Sequence, residues 1–376
     1  MRFSRGFALA AVGATALAGA GLTAGPALAS SHAPPTFLGH LHFTKKIAST
    51  VPGNGDVNPY GVAVVGQSQG RLHRGNILVS NFNNSANQQG TGSTIVQITP
   101  RGRVSLFAQI SSRGLPGICP GGIGLSTALV IINGWVIAGS TPSRGGDPAT
   151  ANAGCLLVLD SQGRVRETFF GHGINGPWDA TAVSQGSTAS LFVTNVLNST
   201  VPANGNVVNQ GTVLRIALRF FSDPNHLPQM TGFTVVGSGF AEKTDPDAFV
   251  VGPTGVGISR TGKLYVADTV NNRIMVIQNA LTRVTSSGIG TDVTSGGLLN
   301  GPLGLVIAPN GNVITANGGD GRVVETTPFG IQAASKFIDT SGSPPGAGAL
   351  FGLALTPSGR SLYYVDDANN TLRLLF

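Results

Sequence analysis

The sequence predicts an all-β fold made of six copies of one four-stranded unit, and three observations carry that expectation. Composition is the first. Of 376 residues, 41% are hydrophobic and only 10% charged, with 55 Gly and 22 Pro; such a chain is too apolar for disorder and too often interrupted by glycine for long helices. The second is a recurring opening, x-Pro-x-Gly followed by apolar and small residues: NPYGVAVV from Asn58, GGIGLSTA from Gly121, GPWDATAV from Gly176, GPTGVGIS from Gly252, GPLGLVIA from Gly301 and ALFGLALT from Ala349. The third is the segment that follows each opening after a turn, namely NILVSN, WVIAGS, SLFVTN, KLYVAD, NVITAN and SLYYVD. These runs are short, rich in β-branched and aromatic residues, and bounded by Gly, Asn, Asp or Pro, as strands are.

Third strands follow as STIVQITP, CLLVLDS, TVLRIALRF, NRIMVIQ, GRVVETTP and TLRLLF, and most copies add a fourth, such as RVSLFAQ from Arg103 or IQAASKFID from Ile331. Four antiparallel strands make a blade, and six blades a closed β-propeller. Counted from Ser30, each unit averages about 58 residues, more than such repeats usually need, so the surplus is expected in loops. The sixth copy ends at Phe376 after three strands. An open edge there invites aggregation, and the apolar segment 37–49 (FLGHLHFTKKIAS) is expected to close it as the fourth strand. A dispensable linker is the alternative reading of that segment.

The stretches VGPTGVGISRTGKLYVADTVNNRIMVI and IGTDVTSGGLLNGPLGLVIAPNGNVITAN, with FFGHGINGPWDATAV upstream, resemble NHL repeats. The resemblance is specific in the fourth and fifth copies and looser in the first three, which carry insertions. It implies a six-bladed propeller, an architecture that hosts binding modules, lactonases, lyases and scaffolds alike.

Residues 1–29 read as an export signal: Arg2 and Arg5, an apolar stretch from about Phe7 to Leu22, and the small-residue site Ala27-Leu28-Ala29. The stretch is short and glycine-diluted for a bilayer span, the alternative. Residues 30–376 are then one exported domain, secreted or held in the periplasm or cell envelope, with no later membrane span and expected to be a monomer. Its 21 basic and 16 acidic residues leave a net charge of +5. No Lys/Arg run occurs, so nucleic acid is not an expected partner; a protein, a peptide or an anionic envelope polysaccharide is. In an oxidising compartment Cys119 and Cys155, at one end of the second unit, are expected to form a disulfide, with two buried thiols as the alternative.

Antiparallel meandering places the openings and the second-strand ends on one face of the disc. Asn81, Gly139, Asn195, Asp268, Asn317 and Asp366 end the second strands, either as a polar ring at the channel mouth or as turn caps that bond nearby backbone. At the fourth position of the opening, Gly61, Gly124, Gly255, Gly304 and Gly352 contrast with Asp179 in the third copy. With Trp178 and His172 nearby, Asp179 is either part of a polar pocket or an anchor bonded to backbone amides. Long loops 82–92, 141–154 and 198–211 on the same face of the first three units read as a recognition rim or as neutral drift.

The expected function is a non-catalytic binding or scaffold module using that rim, with no cofactor. The alternative is a metal-dependent, lactonase-like hydrolase with calcium or zinc at the channel mouth. Gluconolactonase-like hydrolases resemble the chain in architecture, and the resemblance implies carboxylate and amide ligands at the third opening positions. Those positions hold Tyr60, Ile123, Trp178, Thr254, Leu303 and Phe351, none of them a carboxylate; Asn58 and Asp179 lie one or two places away. No GxSxG, HExxH or phosphate-loop motif occurs, and a Ser-His-Asp site would have to use His172 as its base.

Overall fold

A computed structural model of the chain describes residues 36–223, 225–246 and 248–376; the proposed export signal lies outside them. Six antiparallel sheets follow one another along the chain. After a short 3-10 turn, Leu38–His40, β1 spans Thr44–Ser49. Blade one is β2 (Val57–Val64), β3 (Ile77–Asn83), β4 (Thr94–Ile98) and β5 (Val104–Gln109). Blade two is β6 (Leu125–Ile132), β7 (Trp135–Ser140), β8 (Cys155–Leu159) and β9 (Val165–Phe169). Blade three has five strands: β10 (Pro177–Gln185), β11 (Thr188–Asn195), β12 (Val208–Arg219), β13 (Gln229–Asp245) and β14 (Phe249–Val251). Blade four is β15 (Pro253–Ile258), β16 (Leu264–Asp268), β17 (Arg273–Ile277) and β18 (Thr291–Ser295); blade five is β19 (Pro302–Ile307), β20 (Val313–Asn317), β21 (Arg322–Thr326) and β22 (Gln332–Phe337). Blade six joins β23 (Leu350–Leu355), β24 (Leu362–Asp366) and β25 (Thr371–Leu375) to β1, so the two ends of the described chain share one sheet.

The ring therefore closes as the sequence predicts, but the ribbon is shorter than residues 37–49. Only Thr44–Ser49 pairs with β25, in a register bulged between Lys46 and Ala48. Upstream, Leu38 and Leu41 turn inward, fully or almost fully buried, to join the hydrophobic cluster between blades five and six. The buried Glu325 carboxylate holds that entry, accepting the backbone N–H groups of Phe37 at 2.8 Å and Leu38 at 2.7 Å.

Blade three carries a surplus that the loop assignment placed elsewhere. The last residues of the 198–211 insertion are strand, because β12 begins at Val208 and pairs with an extended β13, which then turns back as β14. Cys119 and Cys155 are joined across 36 residues, with Cα atoms 5.1 Å apart.

A ring of close backbone approaches surrounds the central channel. The register slips within every first strand, as between Pro59 and Val62 or Pro302 and Leu305. A Cβ on Gly255 would lie 2.0 Å from the Leu303 carbonyl oxygen, one on Gly304 2.0 Å from that of Phe351, and one on Gly352 2.2 Å from that of Tyr60. Each opening glycine thus lets the next blade's backbone press against its own, which no larger residue permits. In blade two the sequence alignment slips. The inner strand carries extra residues between Leu125 and Leu129, and the carbonyl that approaches Gly61 is that of Thr127. Thr127, not Ile123, therefore holds the third position, and Gly124 packs instead against the Gly90 carbonyl.

Candidate functional site

The first-strand openings and second-strand ends lie on one face, here the loop face; the turns joining first and second strands lie on the opposite, turn face. Third-position side chains close the channel at the loop face. Tyr60 stacks on Phe351 at 3.9 Å and on Phe82 at 4.4 Å between ring centroids, and Trp178 lies 6.4 Å from Tyr60. Phe249 of β14 meets the edge of Phe82 at 5.4 Å, and all five rings belong to one buried cluster with Leu303. Burial and the nearby Asp367 hold the Tyr60 phenol well above its ordinary range.

The long loops pack over this plug and over each other. Ser143 N donates to Gly90 O at 2.9 Å, Gln89 Nε2 donates to Pro246 O at 3.1 Å, and Gly205 N donates to Thr244 Oγ1 at 3.1 Å. The blade-three insertion is further held by Glu242, whose carboxylate accepts Asn198 N at 2.9 Å. Burial pushes that carboxyl up to about 8.

Asn81, Asn195, Asp268, Asn317 and Asp366 are fully buried beneath the loop face and spend their side chains locally. Asn81 Nδ2 donates to Thr50 O at 3.0 Å and Asn317 Nδ2 to Leu298 O at 2.8 Å, while Asn195 Oδ1 accepts Asn175 N at 3.2 Å. Asp268 accepts Arg273 Nε at 2.7 Å, and Asp366 accepts Asn369 N at 3.1 Å. These contacts brace turns, and the five side chains do not form a polar ring around a mouth. His172 lies exposed, its ring 4.5 Å from Phe233 on the outer strand β13, whereas Trp178 is in the plug; neither lines the cavity that holds Asp179.

Below the plug the channel widens into a cavity of about 320 Å³ lined by first-strand residues of all six blades. Its walls are aliphatic, threonine and glycine, and among the described residues Asp179 is the one ionisable side chain on them. Where four of the other openings place a glycine and blade two places Ala128, Asp179 spans blades three and four: its Oδ1 accepts Ala180 N at 2.8 Å and its Oδ2 accepts Val256 N at 3.2 Å. Desolvation by the walls outweighs those two hydrogen bonds and raises the carboxyl to about 7. The group keeps partial access to the lumen, so it is an anchor and a wall residue together. Near neutrality such a carboxyl exchanges protons readily, which suits general acid–base work.

Among the described residues no three His, Cys, Asp or Glu side chains gather so as to hold a metal ion. The third positions themselves supply a phenol, an indole, two hydroxyls and two hydrocarbons, a poor donor set for a hard divalent cation. The residues at the mouth do not fit a lactonase-type metal.

No family model matches the chain, and no curated protein sequence does. Solved structures do. A gluconolactonase of Xanthomonas campestris superposes with a TM-score of 0.51 at 12% identity, covering 87% of this chain and 88% of its own. Regucalcin, a calcium-binding protein of Agrobacterium tumefaciens, gives 0.53 at 13%, covering 88% and 93%. A luciferin-regenerating enzyme gives 0.56 at 12%, covering 89% and 94%. The chain thus shares with these proteins the fold of a six-bladed β-propeller. No described helix is long and apolar enough to cross a membrane, and with the disulfide this fits an extracellular or periplasmic protein.

Proposed function

We propose that this exported, NHL-like propeller is a small-molecule hydrolase acting on lactones or comparable esters inside the central channel, with Asp179 as its acid–base group. The observation that carries the reading is one carboxyl, raised to about 7, on the wall of a channel cavity whose other described lining residues are aliphatic, threonine and glycine. The architecture shared with a gluconolactonase supports it as an analogy of fold. In the ionised form Asp179 takes a proton from water as the water oxygen bonds to the ester carbonyl carbon. As the carbonyl–alkoxy bond breaks, the carboxyl returns that proton to the leaving oxygen, and a lactone becomes a hydroxy acid. First strands form the inner edge of every sheet, and backbone N–H groups on such an edge are the donors that the developing oxyanion would use. No step is routed through a metal.

A binding module on the loop face is the second reading. It is favoured by a cleft of about 730 Å³ between residues 205–207, the β13–β14 turn, and Asn272, Asn300 and Phe351. Turnover of simple γ- and δ-lactones and aryl acetates, followed at constant pH, separates the two. The hydrolase reading expects kcat/KM to rise through pH 7, to survive chelation, and to fall roughly 100-fold or more in Asp179→Asn. Unchanged turnover in that variant, or turnover that requires added calcium or zinc, overturns it.

A further inference from the structure

With the loop face plugged, the channel's remaining way out is the turn face, and what lies there bears on the substrate. A groove of about 680 Å³ runs over the turns of blades four, five and six. It meets the channel cavity at Ile258 and Ile307, which line both. Its floor is apolar, with Pro309, Pro357 and Tyr265, and among the described residues its charged lining side chains are Arg260 and Lys263, with no acid. Both cations sit on the five-residue turn between β15 and β16, where Ser259 Oγ accepts Lys263 N at 3.1 Å and so fixes that turn. Among the described residues neither cation lies within ion-pairing distance of a carboxylate. Two unpaired cations beside an apolar floor, with the channel's one acid on the inner wall, sort a ligand by charge along its length.

We propose that this groove binds the anionic end of the substrate, so that the channel acts on esters or lactones bearing a carboxylate some distance from the reacting carbonyl. The inference rests on the channel being the reacting site, since only then is the groove the outer half of one substrate path. The neutral reacting end enters toward Asp179, and the carboxylate stays outside with Arg260 and Lys263, away from an acid that repels it. A neutral analogue loses the outer contact, and a ligand with its charge at the reacting end is excluded.

Equilibrium titration of the intact domain with 2-naphthoate and with its neutral counterpart 2-naphthamide tests this directly. At low salt the carboxylate should bind at least tenfold more tightly, and 0.5 M NaCl should narrow the gap. Arg260→Ala with Lys263→Ala should erase the preference while leaving naphthamide affinity unchanged; Lys263→Gln should show part of the loss. Equal affinities, failure of both probes to bind, or a preference that outlasts the double substitution overturns the proposal. The same titrations on Asp179→Asn should keep the preference. A preference for the anion without turnover of any ester then defeats the hydrolase reading alone. Turnover with no anion preference defeats the groove alone.

Discussion

Replacing Leu38 by alanine tests whether the N-terminal ribbon is part of the ring. Leu38 is fully buried and sits with Leu41, Ile314, Ile338, Leu353 and Tyr364 in the cluster between blades five and six. Truncating a leucine in such a site costs about 2–5 kcal/mol, the lost transfer energy plus that of the cavity left behind. Blade five's outer edge and Glu325 fix the backbone here, so little collapse is expected and about 3 kcal/mol is the central value. That is a large share of the ~5–15 kcal/mol that holds a domain folded. Urea denaturation followed by tryptophan fluorescence reads it. With a slope of about 3 kcal/mol per molar, the midpoint should fall by about 1 M. Lys45→Ala, at an exposed position on β1, is the control and should move it little. A midpoint for Leu38→Ala within about 0.2 M of the parent, some 0.6 kcal/mol on the same slope, refutes the closure argument.

Asp179, Asp367 and Glu242 all have folded-state values raised by burial, to about 7, about 7 and about 8. The folded chain therefore binds more protons than the unfolded one between about pH 4 and 8, and stability is lost as pH rises through that window. The melting temperature should fall from pH 5 to pH 8.5, and Asp179→Asn should flatten the decline in a thermal scan. Replacing both cysteines by serine opens a 36-residue loop and should lower stability by roughly 3–4 kcal/mol on the loop-closure model, measured by denaturant titration under identical buffer. Gly304→Ala drives a methyl against the Phe351 carbonyl and should cost roughly 1–3 kcal/mol. Gly53→Ala, with open space around its Cβ, should be neutral within about 0.5 kcal/mol in the same titration.

The blade count, the closing ribbon and the disulfide were legible because each depends on local or covalent logic. Repeated turn chemistry marks the strands, a missing fourth strand demands a partner, and two cysteines leave one pairing. The slip in blade two was not legible, since Gly124 looks like its counterparts in the other copies and only the bulge between Leu125 and Leu129 moves Thr127 into its place. The plug was missed for a different reason. Tyr60, Trp178 and Phe351 could be aligned, but the plug also takes Phe82 from β3 and, against its edge, Phe249 from β14. That strand exists only because β12 and β13 grow beyond the repeat. The turn-face groove left no motif, because Arg260 and Lys263 are ordinary turn residues until three blades are set side by side.

Asp179 was singled out because it breaks the repeat, and its geometry shows what stands in the glycine's place. Gly255, Gly304 and Gly352 each join neighbouring blades through a backbone approach that a side chain would block. At the junction of blades three and four, the carboxylate reaches across to Val256 N instead. An asparagine avoids the desolvation penalty that raises the acid to about 7, but its one side-chain oxygen can accept only one of the two N–H groups, from Ala180 and Val256, that the carboxylate accepts. The two effects oppose each other, and Asp179→Asn should stay within about 1–2 kcal/mol of the parent at pH 8. If stability holds while turnover disappears, the acid is retained for proton transfer. If turnover in the variant persists at the parent's level, the acid is a structural anchor and the reactive role assigned to Asp179 falls.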